Sequence, residues 1–216
     1  DKIGVALSGG KDSISLLIGL KALQRFYPKN FDLIAISINP GFDFFNKEFL
    51  EKTCKDLDIP LFIEDTNIKE IVFDEEKEKN PCSLCAKMRK GALNDAIKAA
   101  GCNKVAYAHH KDDVVETMLM SLIYEGRFHT FSPVTYLDRT EITVIRPLIY
   151  MTEADVIGFV NKNNVLVVKS PCPADGYTKR EYVKELLRDI NKETPGVKSR
   201  MFTAITTSTL KGWDQT

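Results

Sequence analysis

Five apolar residues, Ile3, Gly4, Val5, Ala6 and Leu7, lead into Ser8-Gly9-Gly10-Lys11-Asp12-Ser13 and then into the apolar run 14–20. A strand, a glycine turn and a helix start in that order open a β–α unit and place an anion site at the junction. Two glycines let the backbone approach a ligand, and the first amides of the helix point at it. The hydroxyls of Ser8 and Ser13 and the ammonium of Lys11 add donors for phosphate oxygens. Asp12 cannot bind phosphate directly, so its expected use is to hold a magnesium ion that the phosphates share. The spacing departs from both the Gly-x-x-x-x-Gly-Lys-Ser/Thr loop and the dinucleotide fingerprint Gly-x-Gly-x-x-Gly. An ordinary glycine turn is the competing reading, and the agreement of six residues with their strand–helix context weighs against it.

The rest of the chain continues that alternation. Residues 31–38, 61–63 and 105–108 are short β-rich apolar runs, each expected as an inner strand, and 141–147 adds one more. Helical patterns occupy 11–26, 46–57 and 85–100, the last stopped by Gly101, with further helices over 152–161 and 179–190. The acidic and Lys-rich stretch 73–81 reads as a solvated loop. Strands alternating with helices imply an α/β fold, a doubly wound parallel sheet covered on both faces. We expect one domain over 1–170 and a short helical C-terminal extension over 171–216 packed on it. Ligands in such sheets sit beyond the carboxyl ends of the strands, where the first loop and the loop after Ala108 meet.

Composition narrows the class without naming the reaction. With 216 residues, 44% hydrophobic, the chain can bury a core. Lys+Arg and Asp+Glu both number 30, so any contact with nucleic acid must come from local basic clusters. No apolar stretch of about 18 residues and no charged-then-apolar leader is present, which argues against a membrane span or a secretion signal and makes the cytoplasm the expected location.

The second loop, His109-His110-Lys111-Asp112-Asp113, leaves a strand and starts a helix. Helix capping explains acids in a first turn, yet two histidines beside two aspartates also suit metal and phosphate chemistry. A zinc site made by His109 and His110 is disfavoured because neighbouring side chains diverge at a strand end. Of five cysteines, Cys54 and Cys102 read as inert packing groups. Cys82 and Cys85 stand one turn apart at the head of a helix, where thiolates are favoured, and Cys172 lies in the rigid turn Ser170-Pro171-Cys172-Pro173. Three thiols are one short of a closed zinc site. They suit an iron–sulfur cluster with one open iron, a redox Cys-x-x-Cys pair, or zinc completed by His129.

The loop 8–13 resembles the PP-loop, Ser-Gly-Gly-x-Asp-Ser, of the ATP pyrophosphatases, which cleave ATP to AMP and pyrophosphate to adenylate an oxygen. Together with Pro81 to Gly91, His109 to Asp113, Ile145-Arg146-Pro147-Leu148, and Pro195-Gly196 through Met201-Phe202, it makes the chain similar to the TtcA group of tRNA 2-thiocytidine synthetases, near relatives of the TtuA-type 2-thiouridine synthetases. The resemblance implies the adenine nucleotide alpha-hydrolase-like fold, a [4Fe-4S] cluster, ATP, Mg2+ and a tRNA substrate. Carried over by residue, it makes Cys82, Cys85 and Cys172 the cluster ligands. Ser8, Gly9, Gly10, Lys11, Asp12, Ser13 and His109 become the nucleotide-binding set, and Arg89, Asp112, Asp113 and Asp12 the catalytic set. One departure is that Pro173-Ala174-Asp175 follow Cys172, where thiocytidine-type relatives often carry a further cysteine.

The expected chemistry is attack of a pyrimidine C2 oxygen, with cytidine the leading candidate, on the α-phosphate of ATP, followed by displacement of AMP by sulfur. A base reaching such a pocket is splayed from its stack, which is cheapest in a single-stranded loop. Lys87, Lys90, Lys179, Arg180, Lys184 and Arg188 are candidate backbone contacts, with plain solvation as the alternative. Tyr177 and Trp213 can stack a base or pack in a core. A sulfur donor, either a cysteine desulfurase or another sulfide source, is a necessary partner, and a homodimer is compatible with the sequence. Two other readings stay open: a lysidine synthetase-like ligase using the same ATP chemistry, and a non-catalytic ATP-binding protein. Thiolation of a small metabolite is a third.

Overall fold

The computed structural model describes residues 1–43, 45–75, 81–168 and 178–208, with backbone alone at 73–75. Among them β1 (Lys2–Ala6), β2 (Asp32–Asn39), β3 (Leu61–Asp65), β4 (Lys104–Ala106), β5 (Val134–Leu137) and β6 (Ile142–Ile145) form one sheet in the order β3-β2-β1-β4-β6-β5. Every pairing is parallel except β5 with β6. The helices are α1 (Lys11–Leu23), α2 (Lys47–Asp56), α3 (Pro81–Ala99), α4 (Lys111–Glu125), α5 (Glu153–Lys162), α6 (Lys179–Glu193) and α7 (Val197–Thr206).

Strand alternation explains why both faces are covered. Ile3, Val5 and Leu7 pack with Leu16, Leu17 and Leu20 of α1 and Leu50 and Cys54 of α2. Ile36, Ile38, Val105 and Val144 pack instead with Leu93, Ala96 and Ile97 of α3. Gly4 lets α3 come close: a Cβ there would meet Ile36 Cδ1 at 3.0 Å and Ile97 Cγ1 at 3.4 Å. A third core joins Val114, Val115 and Met118 of α4 to Val183 and Leu187 of α6 and to Phe202 and Ile205 of α7. Leu187 and Val183 are fully enclosed, worth about 1.5–3 kcal/mol each in buried area.

Two expectations change, and one strand is new. The strand at 61–63 is an edge strand, not an inner one, because β2 covers only one of its sides. Residues 70–75, expected in part as solvated loop, form a π-helical turn held by buried Ile68 and Val72. The antiparallel β5 had no strong period to announce it: Val134 and Tyr136 are exposed while Thr135 and Leu137 are partly covered. Cys54 and Cys102 are buried as expected, and burial pushes the Cys54 thiol up to about 11. No helix among the described residues is long and apolar enough to cross a membrane. Cys172, Tyr177 and Trp213 lie outside the described residues.

Candidate active site

The carboxyl ends of β1 and β4 bring the two loops together. Gly9 turns the chain at φ +84°, a conformation side chains resist, and hands over to α1 through Gly10. The Ser13 hydroxyl closes the loop by accepting from Ser8 N at 3.2 Å and donating to Gly10 O at 3.1 Å, with Ser8 Oγ 3.1 Å away. Gly10 supplies no side-chain cap, which leaves the first amides of α1 for a ligand. Lys11 Nζ lies 3.0 Å from Asp12 and 2.9 Å from Glu153. Burial works against its charge, but hydrogen bonds to Glu153 and Asp12 outweigh it and raise the pKa.

The second loop is held by its own capping box. His110 Nδ1 accepts from Asp113 N at 3.4 Å, and Asp113 Oδ2 accepts from His110 N at 2.9 Å. His110 Nε2 faces Asp12 Oδ1 at 3.8 Å. Asp112 points elsewhere: its carboxylate accepts from Lys198 of α7 at 2.8 Å and from Glu153 N at 2.8 Å. Burial opposes its charge, yet those partners hold the carboxyl below its usual range. Asp12 and Asp113 line the large cavity described next; Asp112 ties α4 to α5 and α7.

A cavity of about 620 Å³ opens above the sheet, floored by Ser8 and Ser13 and walled by Arg89, Tyr107, His109 and Arg146. A second chamber of about 330 Å³ lies beyond Ser8 and Arg89, which line both, and its wall includes Gly9, Phe49, Cys85 and Val168. The CxxC helix therefore meets the phosphate loop at a shared arginine, one turn after Cys85. Cys82 and Cys85 stand in the first turn of α3, Cys82 exposed and Cys85 partly buried. Val168 N donates to Gly9 O at 2.9 Å, so the chain is tied to the phosphate loop four residues before Cys172. Among the described residues no set of three metal-ligating side chains converges, and His129 is exposed in the link between α4 and β5.

Several participants had only weak sequence signals. Glu153, which grips Lys11, sits in an ordinary helix start. Arg180 of α6 is 3.0 Å from fully buried Glu116 and 3.6 Å from Asp113, so this basic residue is largely engaged within the fold. Lys179 lies over the Tyr124 ring. Arg146 and Tyr107 enter the cavity from strand ends; for Arg146 the motif Ile145-Arg146-Pro147-Leu148 was the available signal.

Comparison with known proteins places this geometry in context. A PP-loop domain family matches residues 1–190. The tRNA-cytidine(32) 2-sulfurtransferase of Pelobacter propionicus is 36% identical over 208 residues, 95% of this chain and 77% of that protein. The enzyme of the same name from Geobacter metallireducens is also 36% identical, over 95% of this chain and 81% of its own. Among solved structures, the U34-tRNA thiolase NcsA from Methanococcus maripaludis with its [4Fe-4S] cluster superposes with TM-score 0.76 at 27% identity, covering 94% of this chain and 70% of that one. By the match to that family over residues 1–190 and to these relatives over 95% of its length, the chain belongs to the PP-loop family and to its tRNA-cytidine 2-sulfurtransferase group.

Proposed function

We propose that this chain is an ATP-dependent tRNA sulfurtransferase that converts a cytidine to 2-thiocytidine. The observation that carries the reading is the pair of chambers sharing Ser8 and Arg89, with the phosphate loop on one side and Cys85 on the other. The triphosphate of ATP lies on 8–13, where Ser8, Lys11, Ser13 and the α1 amides offer donors. Asp12 presents a carboxylate for Mg2+, with Asp113 as its neighbour across the cavity. Arg89 neutralises charge building on the α-phosphate as the cytidine O2 attacks and pyrophosphate leaves. Sulfide then adds at C2, and AMP departs with the original oxygen.

The donor set fits an iron–sulfur cluster. Two thiols one turn apart share a helix face, and Val168, tied to Gly9, lines the same chamber as Cys85 four residues before Cys172. When bound by Cys82, Cys85 and Cys172, a [4Fe-4S] cluster would supply an iron with a vacant position for sulfur. His109 lines the nucleotide cavity, and Asp112 contributes by holding α5 and α7 against α4. Residues 171–216 are read as an extension whose α6 and α7 pack on α4 of the same domain. Sulfide or a desulfurase supplies the sulfur, the setting is cytoplasmic, and a homodimer is compatible with this surface.

Anaerobically purified protein incubated with unmodified tRNA, ATP, Mg2+ and sulfide should yield 2-thiocytidine by mass spectrometry of nucleosides. Cys172→Ala should bind ATP as well as the parent chain and form no thiolated nucleoside, a loss of at least about a hundredfold given that the cluster would lose one of three protein ligands. Lysine incorporation in place of sulfur would move the chain to the lysidine synthetase-like reading. ATP binding without pyrophosphate release, with or without tRNA, would make it non-catalytic.

A further inference from the structure

The large cavity carries a cation that the phosphate chemistry leaves unused. Arg146, just after β6, is partly buried, and no carboxylate among the described residues pairs with it; burial depresses its pKa and only the Tyr107 hydroxyl works the other way. Its Nη1 donates to Ser132 O at 2.6 Å and Thr135 Oγ1 at 3.2 Å, which fixes the guanidinium plane. The cation sits 4.8 Å from the centre of the Phe131 ring, Phe131 lies 4.6 Å from His109, and His109 stacks on Tyr107 at 5.5 Å. Tyr107, His109, Thr135 and Arg146 all face the cavity that Ser8, Asp12 and Ser13 floor.

Resting on the tRNA-cytidine reading, we infer that this aromatic and cationic wall receives the target cytosine and that Arg146 selects it by donating a hydrogen bond to N3. Tyr107 and His109 give the cavity aromatic surface and Arg146 gives it a fixed donor, which together suit a splayed base, whereas the phosphates already have their donors in the first loop. Cytosine N3 is an acceptor, while uracil N3 carries a hydrogen. A guanidinium has donors only, so it meets uracil N3 donor to donor. The wall does not add a second charge: burial lowers the His109 pKa to about 4, so its ring is neutral near pH 7. Donation to N3 also draws electron density from C2, the carbon that sulfur must attack.

The test uses the whole chain, purified anaerobically, with two transcripts that differ only in cytidine or uridine at the modified position. Nucleoside mass spectrometry reads both thiolated products, and a separate titration reads ATP affinity. Arg146→Gln, whose amide both donates and accepts, should erase roughly tenfold to a hundredfold of the cytidine preference, the range for losing one good base contact. ATP affinity should stay within about twofold, because the hydrogen bond removed is one made to the base and not to the phosphates. Thr135→Val loosens Arg146 without removing it and should shift the same ratio by less, which covers the case of an Arg146→Gln chain that does not fold. An unchanged ratio in both variants, or weakened ATP affinity with the preference intact, overturns the inference. A parent chain that thiolates neither transcript overturns the functional reading as well, so the two failures are distinct.

Discussion

The two sides of the large cavity are built on opposite electrostatic plans. On the side of α1, α4, α5, α6 and α7 the principal charges meet opposite ones: Lys11 with Asp12 and Glu153, Asp112 with Lys198, and Arg180 with Glu116, whose second carboxylate oxygen is sealed without a partner. On the side of β4, β5 and β6, Arg146 stands over an aromatic ring without an acid, and both its Nε and His109 Nδ1 are sealed from solvent with no partner. The paired side is settled when the chain folds. The unpaired side holds desolvated polar groups, and groups left in that state cost stability.

Acid titration offers the largest handle on the unpaired side. Burial lowers the His109 pKa from 6.5 to about 4, so between those values the unfolded chain takes up a proton that the folded chain refuses. Its contribution is whole above pH 6.5 and is lost as pH falls toward 4, on the order of 3 kcal/mol. Urea unfolding at pH 7 and pH 4.5 should show a smaller acid loss in His109→Phe than in the parent; equal losses would mean that this wall tolerates charge.

Asp112→Asn probes the paired side and should lower stability by about 1.5–3 kcal/mol at neutral pH, the range for a hydrogen bond to a charged group. Because the folded pKa is depressed below 3.8, this stabilisation is present above that value and fades as pH falls through the folded pKa. The gap between parent and variant should therefore close in acid. A gap that persists there would assign Asp112 a role other than charge pairing.

Glu153→Gln sharpens the boundary between the two sides and should have the smallest effect. Both partners of the Lys11–Glu153 pair are 29% exposed, so releasing Lys11 should tighten ATP binding by no more than about fivefold. Weaker binding instead, measured by titration with Mg2+ present, would make Glu153 a metal ligand and break the division drawn above.

Much of this arrangement was legible in residue order. The loop 8–13 takes its shape locally, since glycine conformations, short hydroxyl bonds and a helix N-terminus are all set within six residues. The Cys82 and Cys85 pair is legible for the same reason, because helical period alone puts them on one face. Glu153 was not, and Arg146, though it stands in the motif Ile145-Arg146-Pro147-Leu148, gave no sign of its partners: Arg146 takes its meaning from Ser132, Thr135 and Phe131 on another strand and its connection, and Glu153 from Lys11 on α1. Strand β5 escaped notice because an edge strand with two exposed apolar residues shows no clean alternation.

By itself the sequence determined the local devices: the phosphate loop, the capped second loop, the paired thiols and the alternation that makes a doubly wound sheet. These depend on backbone conformation and on neighbours within a turn. Only the tertiary structure decided which charges cancel and which remain exposed to a ligand. That balance depends on distances between elements far apart in the chain, and electrostatic strength is set by burial that no single segment contains.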